Sequence, residues 1–194
     1  MRYIIVMLLF SVLANAQTKG GEFYSEDFNW SIVLPEGFKR LTDDELKGLE
    51  NDGVDVIEKA YDTNLDGALI PNKTLFGIES GPNDFLEANM QAFDTAADGD
   101  YEESVKAVWE IIYQTFKSEL PSDTKIIKKH STEKISNLKF YKSTMVIKFS
   151  NGIIMNSIMY SRLFGNKDFT LNILYTDSKT GDVFMKAWKS SVFK

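Results

Sequence analysis

Residues 138–164 read LKFYKSTMVIKFSNGIIMNSIMYSRLF, with polar and apolar residues alternating on both sides of Asn151-Gly152. Alternation with a period of two marks half-buried strands, and Asn-Gly between two such runs is a strong hairpin signal because a type I′ turn needs positive φ at both central residues. The reading is a strand Leu138–Phe149, a type I′ turn that sets Phe149 opposite Ile154, and a returning strand Ile153–Phe164. Gly165-Asn166 turns the chain again, and Phe169, Leu171, Ile173 and Tyr175 alternate in a further strand. Ile126 and Lys128 open a strand ahead of the pair. Strands joined by tight turns run antiparallel, so this third of the chain predicts an antiparallel sheet.

Upstream the period lengthens. From Tyr101 the residues Val105, Val108, Trp109, Ile112, Phe116 and Leu120 recur at threes and fours, an apolar stripe on a helix that Pro121 to Asp123 stops. A last helix from about Gly181 turns Val183, Phe184, Ala187, Trp188 and Ser191 inward. Thr42-Asp43-Asp44-Glu45 is a capping box for a helix carrying Leu46 and Leu49. Asn51-Asp52-Gly53 reads as its end, and Val54 to Tyr61 as a second stretch with Val54, Ile57 and Tyr61 on one face. Phe28, Trp30, Ile32 and Leu34 form a strand closed by Pro35-Glu36-Gly37, and Thr74, Phe76 and Ile78 another. Asn83–Asp94 fits a helix through Phe85, Ala88 and Ala92 and also a strand; the strand is preferred. The fold class is an α/β/α sandwich on a mainly antiparallel sheet.

Two patches carry a family resemblance. One is Phe28-Asn29-Trp30-Ser31-Ile32-Val33-Leu34-Pro35-Glu36-Gly37-Phe38; the other runs from Phe169-Thr170-Leu171-Asn172-Ile173 through Tyr175 and a short helix to Ser190-Ser191-Val192-Phe193. Together they resemble the PsbP-like superfamily, which includes the extrinsic photosystem II protein, Mog and the DcrB-like exported proteins. The resemblance implies the same sandwich and a role as an assembly factor, binding protein or exported domain. It brings no shared catalytic constellation, and nothing in the residues points to photosynthesis or nuclear transport.

The N-terminus predicts export. Arg2, the apolar run Tyr3 to Leu13 and Ala14-Asn15-Ala16 have the form of a secretory signal peptide, residues 1–16, cleaved before Gln17. The run is shorter than the roughly 20 residues of a membrane span. Residues 17–194 then form one domain. The chain carries a net charge of −6, one unit more negative once Arg2 leaves with the leader, and only Arg40 and Arg162 remain as arginines. Such a surface repels polyanions, so nucleic acid is a poor partner. The absence of cysteine excludes disulfides, thiolate metal sites and thiol nucleophiles.

Candidate sites are few. Asp62-Thr63-Asn64-Leu65-Asp66-Gly67 matches the start of a calcium loop, with oxygen donors at positions one, three and five and the turn glycine at six. Position twelve, which should be a bidentate glutamate, is Lys73, so Asp62, Asn64 and Asp66 read as a turn between helix and strand. Asp94, Asp98, Asp100, Glu102 and Glu103 are dense enough to collect a cation, and they also suit the N-terminus of the following helix, the preferred reading. His130, the one histidine, has Ser131 and Glu133 nearby, but consecutive strand residues face opposite ways, so it reads as an exposed histidine. Trp30, Trp109 and Trp188 read as core; Met90, Met155, Met159 and Met185 read as packing residues, with an adaptable binding face as the alternative. No catalytic, cofactor or metal residue is assigned. The functional expectation is a secreted or periplasmic binding or accessory module without catalytic activity, for a protein or small-molecule partner; the alternative is a secreted carboxylate-dependent hydrolase.

Overall fold

The computed structural model describes residues 21–61, 72–81 and 83–194. Ten strands and three helices follow in the order β1 (Glu22–Ser25), β2 (Trp30–Val33), β3 (Lys39–Arg40), α1 (Asp43–Tyr61), β4 (Lys73–Glu79), β5 (Phe85–Ala92), α2 (Tyr101–Glu119), β6 (Lys125–Ile135), β7 (Leu138–Lys148), β8 (Ile154–Phe164), β9 (Lys167–Tyr175), α3 (Ser178–Lys189) and β10 (Val192–Phe193). Seven of the strands make one antiparallel sheet in the order β3-β4-β5-β9-β8-β7-β6, and β1-β2-β10 make a second. The segment 83–94 is mostly strand, as preferred.

Alternation sorts the large sheet's side chains onto two buried faces. One face presents Phe76, Ile78, Leu86, Ala88, Phe140, Tyr160, Phe169, Leu171 and Ile173 to α3 and to the small sheet. Trp30 of β2 meets Trp188 of α3 edge-on at 6.2 Å and stacks on Phe193 of β10 at 5.6 Å. Phe193 is also the register partner of Trp30, so the two patches that carry the resemblance are joined as one sheet. The opposite face presents Met145, Ile147, Met155 and Met159 to Tyr101, Val105 and Trp109 of α2. Over β4, Leu46 of α1 packs where Gly77 leaves room for it. The α/β/α sandwich therefore stands, with one outer layer part helix and part sheet.

Four local expectations are corrected. Gly53 does not end a helix: α1 runs unbroken for 19 residues. An exposed glycine costs about 1 kcal/mol inside a helix. Contacts beyond it hold the helix together, with Tyr61 Oη donating to the Ile111 carbonyl at 3.3 Å and Lys59 pairing with Glu119 at 3.3 Å. The turn at Asn151-Gly152 is not type I′, because Asn151 keeps a negative φ while Gly152 has φ +87°. Gly152 N–H donates to the Phe149 carbonyl and Phe149 N–H to the Ile153 carbonyl, the pattern of a three-residue loop with a glycine bulge. Phe149 thus faces Ile153, and Ile154 pairs with Lys148. Two successive positive φ values occur instead at Ser136 and Asn137, between β6 and β7. The last helix starts at Ser178, capped by Asp177, and leaves Val183 exposed.

Candidate functional site

The type I′ geometry at Ser136-Asn137 fixes the β6–β7 register, and that register sets His130 opposite Ser143 and Thr132 opposite Tyr141. These four project from the face that α2 covers. Where the first turns of α2 cross them, a cleft of about 300 Å3 opens, lined by Glu102, Val105 and Lys106 of the helix and by residues 130–132 and 141–143 of the hairpin. Asp100 caps α2, its carboxylate accepting from Glu103 N–H at 3.0 Å, which places Glu102 and Lys106 at the rim.

Inside the cleft His130 Nδ1 lies 2.9 Å from Ser143 Oγ. Burial, then Lys128 and Lys106, hold the imidazole below its ordinary pKa, so it is neutral at pH 7. Ser143 is 1% exposed, out of reach of a substrate. Lys106 bridges Glu102 and Glu103 at 3.1 and 2.9 Å. The hydrogen bond to Lys106 and then one to Tyr141 lower the Glu102 pKa. The lining is thus a neutral imidazole, a phenol and a lysine shared by two carboxylates, which suits a small polar ligand or side chain.

Glu133 faces away from His130. It sits on the other side of the sheet, where Tyr160 Oη donates at 2.7 Å, Lys142 pairs at 2.7 Å and Lys189 of α3 at 3.2 Å. Burial opposes its ionisation, but the hydrogen bonds from Lys142, Tyr160 and Lys189 prevail and bring its pKa to about 2. Ser131 Oγ reaches the Lys142 carbonyl at 3.5 Å. His130, Ser131 and Glu133, adjacent in sequence, are not brought together.

The other acidic residues are engaged structurally. Asp98 accepts from Asp94 N–H at 2.7 Å and Asp94 from Ala96 N–H at 2.9 Å, closing the turn before α2. Among the described residues no three His, Asp or Glu side chains gather in a way that would hold a metal ion. Asp62, Asn64 and Asp66 lie outside the described residues; Lys73 pairs with Asp27 at 3.4 Å. Met155 and Met159 are buried against α2, and all three tryptophans are in the core.

One feature went unread in the sequence: a polar row on the face beneath the two helices. Tyr101 Oη donates to Asp168 at 2.5 Å and Gln91 to the same carboxylate at 3.0 Å, while Asn172 donates to Glu87 at 3.0 Å. Burial raises the pKa of both acids, against the hydrogen bonds they accept; Glu50 adds to the rise at Glu87. Glu87 is paired with Asn172 across β5 and β9, four residues from Asp168. That is about 13 Å along the strand. Two glycosidase carboxylates stand no more than about 9.5 Å apart. The single cue in the sequence was acidic and amide residues at alternate positions of apolar strands, which also describes an exposed face.

A core closed by pairing the first and last patches, with helices over an antiparallel sheet, defines the PsbP-like fold. Among solved structures the chain is similar to cyanobacterial PsbP (CyanoP) from Synechocystis sp. PCC 6803, with a TM-score of 0.55 and 8% identity over 97% of this chain and 99% of that one. No protein-family model matches the chain, and no curated protein matches it in sequence. At 8% identity the likeness is one of fold.

Proposed function

We propose that this chain is an exported binding or accessory module without catalytic activity, matured by removal of residues 1–16 and working as one domain from Gln17. The observation that carries the reading is how its reactive groups are spent. The histidine bonds its serine, while the nearby carboxylates on their side of the sheet are engaged elsewhere, Glu102 with Lys106 and Tyr141 and Glu110 with Lys128 and Gln114; the serine is sealed from solvent, and Glu133 is held by Tyr160, Lys142 and Lys189 on the other side. A nucleophile–base pair needs an orienting acid and an accessible nucleophile. The cleft between α2 and the β6–β7 hairpin remains as a place for a small polar group, which fits binding. Among the described residues no helix is long and apolar enough to cross a membrane.

The test is turnover. Chromogenic esters, phosphoesters and glycosides should react with wild type no faster than in buffer. Hydrolysis that Ser143→Ala or Glu87→Gln abolishes would replace this reading with the carboxylate-dependent or serine hydrolase.

A further inference from the structure

Among the described residues strand β6 is the outer edge of the seven-stranded sheet, so the main-chain groups along one side of its 11 residues face no other described strand. Strands β6 and β7 together hold seven lysines and one glutamate, in a chain whose net charge is −6. Two of those lysines, Lys125 and Lys148, stand directly opposite one another, as do Lys134 and Lys139. Like charges directly opposite across strands repel, and a fold retains such pairs at a cost. Lys125, Lys129 and Lys148 are exposed and enter no ion pair among the described residues.

On the same face as these three lysines, Ile127 lies opposite Val146, with Ile154 one strand further in. Ile127 is 55% and Ile154 44% exposed, and neither joins the cores on the two sides of the sheet. Lysines that only guard an edge against pairing gain nothing from an isoleucine exposed between them. An open edge, a strip of exposed apolar side chains and unpaired cations around it are instead the parts of a strand-addition site.

We propose that the outer edge of β6 docks an acidic, extended segment of a partner protein, added as an eighth strand. Side chains of the added strand alternate, so an aliphatic residue beside Ile127 sets the residues two before and two after beside Lys125 and Lys129. The recognised pattern is therefore acidic-x-aliphatic-x-acidic. A second copy of this chain pairing edge to edge is a poor occupant, because β6 carries four lysines against one glutamate and would meet the same charge. This inference rests on the reading of the chain as a binding module and names its partner's chemistry at a surface separate from the His130 cleft.

A displayed library of nine-residue peptides, panned on the full chain, tests it. The expected result is enrichment of peptides with Asp or Glu two residues either side of an aliphatic residue. A synthesised winner should shift the amide resonances of Lys125–Ser131, and its affinity should fall about tenfold for the Lys125→Glu, Lys129→Glu double variant. Ile127→Ser, also at an exposed position, should weaken it too, with the circular dichroism of both variants unchanged. The proposal is overturned if no such peptide is enriched or if the variants bind it equally. It is also overturned if anionic phospholipid vesicles bind the patch while peptides do not, or if sedimentation shows a dimer that the double variant abolishes. Peptides that shift only His130 and its neighbours would overturn it while leaving the module reading intact, whereas cleavage of bound peptides would sink the module reading itself.

Discussion

Asp168 illustrates what a buried charge requires. Its two oxygens accept from Tyr101 and Gln91, and burial still raises its pKa. A group whose folded pKa lies above its unfolded value contributes stability below the unfolded pKa and loses it as pH rises through the folded one. Asp168→Asn keeps an acceptor for Tyr101, and Gln91 can turn its amide to match. Urea melts at pH 7 should therefore place Asp168→Asn within about 1 kcal/mol of wild type or above it, whereas Asp168→Ala, which strands a buried phenol, should cost about 2–3 kcal/mol. Equal losses for both would show that the pair is not what holds the site. Glu133 has the opposite sign. Its pKa of about 2 lies below the ordinary carboxylate value, so its contribution is present at neutral pH and is lost as pH falls from about 4.5 toward 2. Lys189, one of its partners, is exposed, and water screens that part of the pairing. Glu133→Gln should thus be less stable than wild type by about 1–2 kcal/mol at pH 7, and the two should converge near pH 2; a gap independent of pH would contradict the ion-pair account.

At the scale of elements, long periodic segments were legible and single turns were not. The stripe through Trp109 predicted α2, and Trp109 is 1% exposed among Met145, Met155 and Met159. Trp109→Ala should cost about 3–5 kcal/mol in chemical denaturation, and a loss below 0.5 kcal/mol would place the ring outside the core. Turn chemistry misled for a physical reason. Asn151-Gly152 satisfies two loop types, and the choice between them rests on where the flanking strands pair. Ser136 and Asn137 hold the two positive φ values without a glycine, and the Ser136 hydroxyl also bonds the main chain of Phe193 at 3.1 and 3.3 Å. A serine chosen for a contact 57 residues away carries no local signal. Gly181, expected to open α3, lies within the helix at a place where the Tyr175 ring leaves no room for a side chain: an added Cβ would stand 2.5 Å from its carbons. Gly77 has only the mobile ends of Leu46 and Leu41 at comparable range, along with the Leu41 Cβ at 3.6 Å. Gly181→Ala should therefore destabilise the fold by about 1–3 kcal/mol in chemical denaturation, and Gly77→Ala by less; the reverse order would contradict the packing described here.

Across the whole molecule charge is segregated. Helix α1 carries seven acidic residues and two lysines, while the β6–β7 hairpin carries seven lysines and one glutamate at the far end of the sheet. Composition alone, with its modest net charge, concealed this division, because the two blocks cancel in the total. Likewise the cleft at His130 was invisible in the sequence: Ser143 and Tyr141 reach it from a neighbouring strand, and Glu102 and Lys106 from a helix more than twenty residues away. The overall fold was more legible, since the patches at Trp30 and at Phe193 that meet in one small sheet each carry a local pattern. The proposed role as an exported module requires export. Intact-mass measurement of the protein recovered from the periplasm or medium of expressing cells decides that: the mass should be that of a chain beginning at Gln17, and a chain in that fraction still carrying Met1 would contradict export by signal-peptide cleavage.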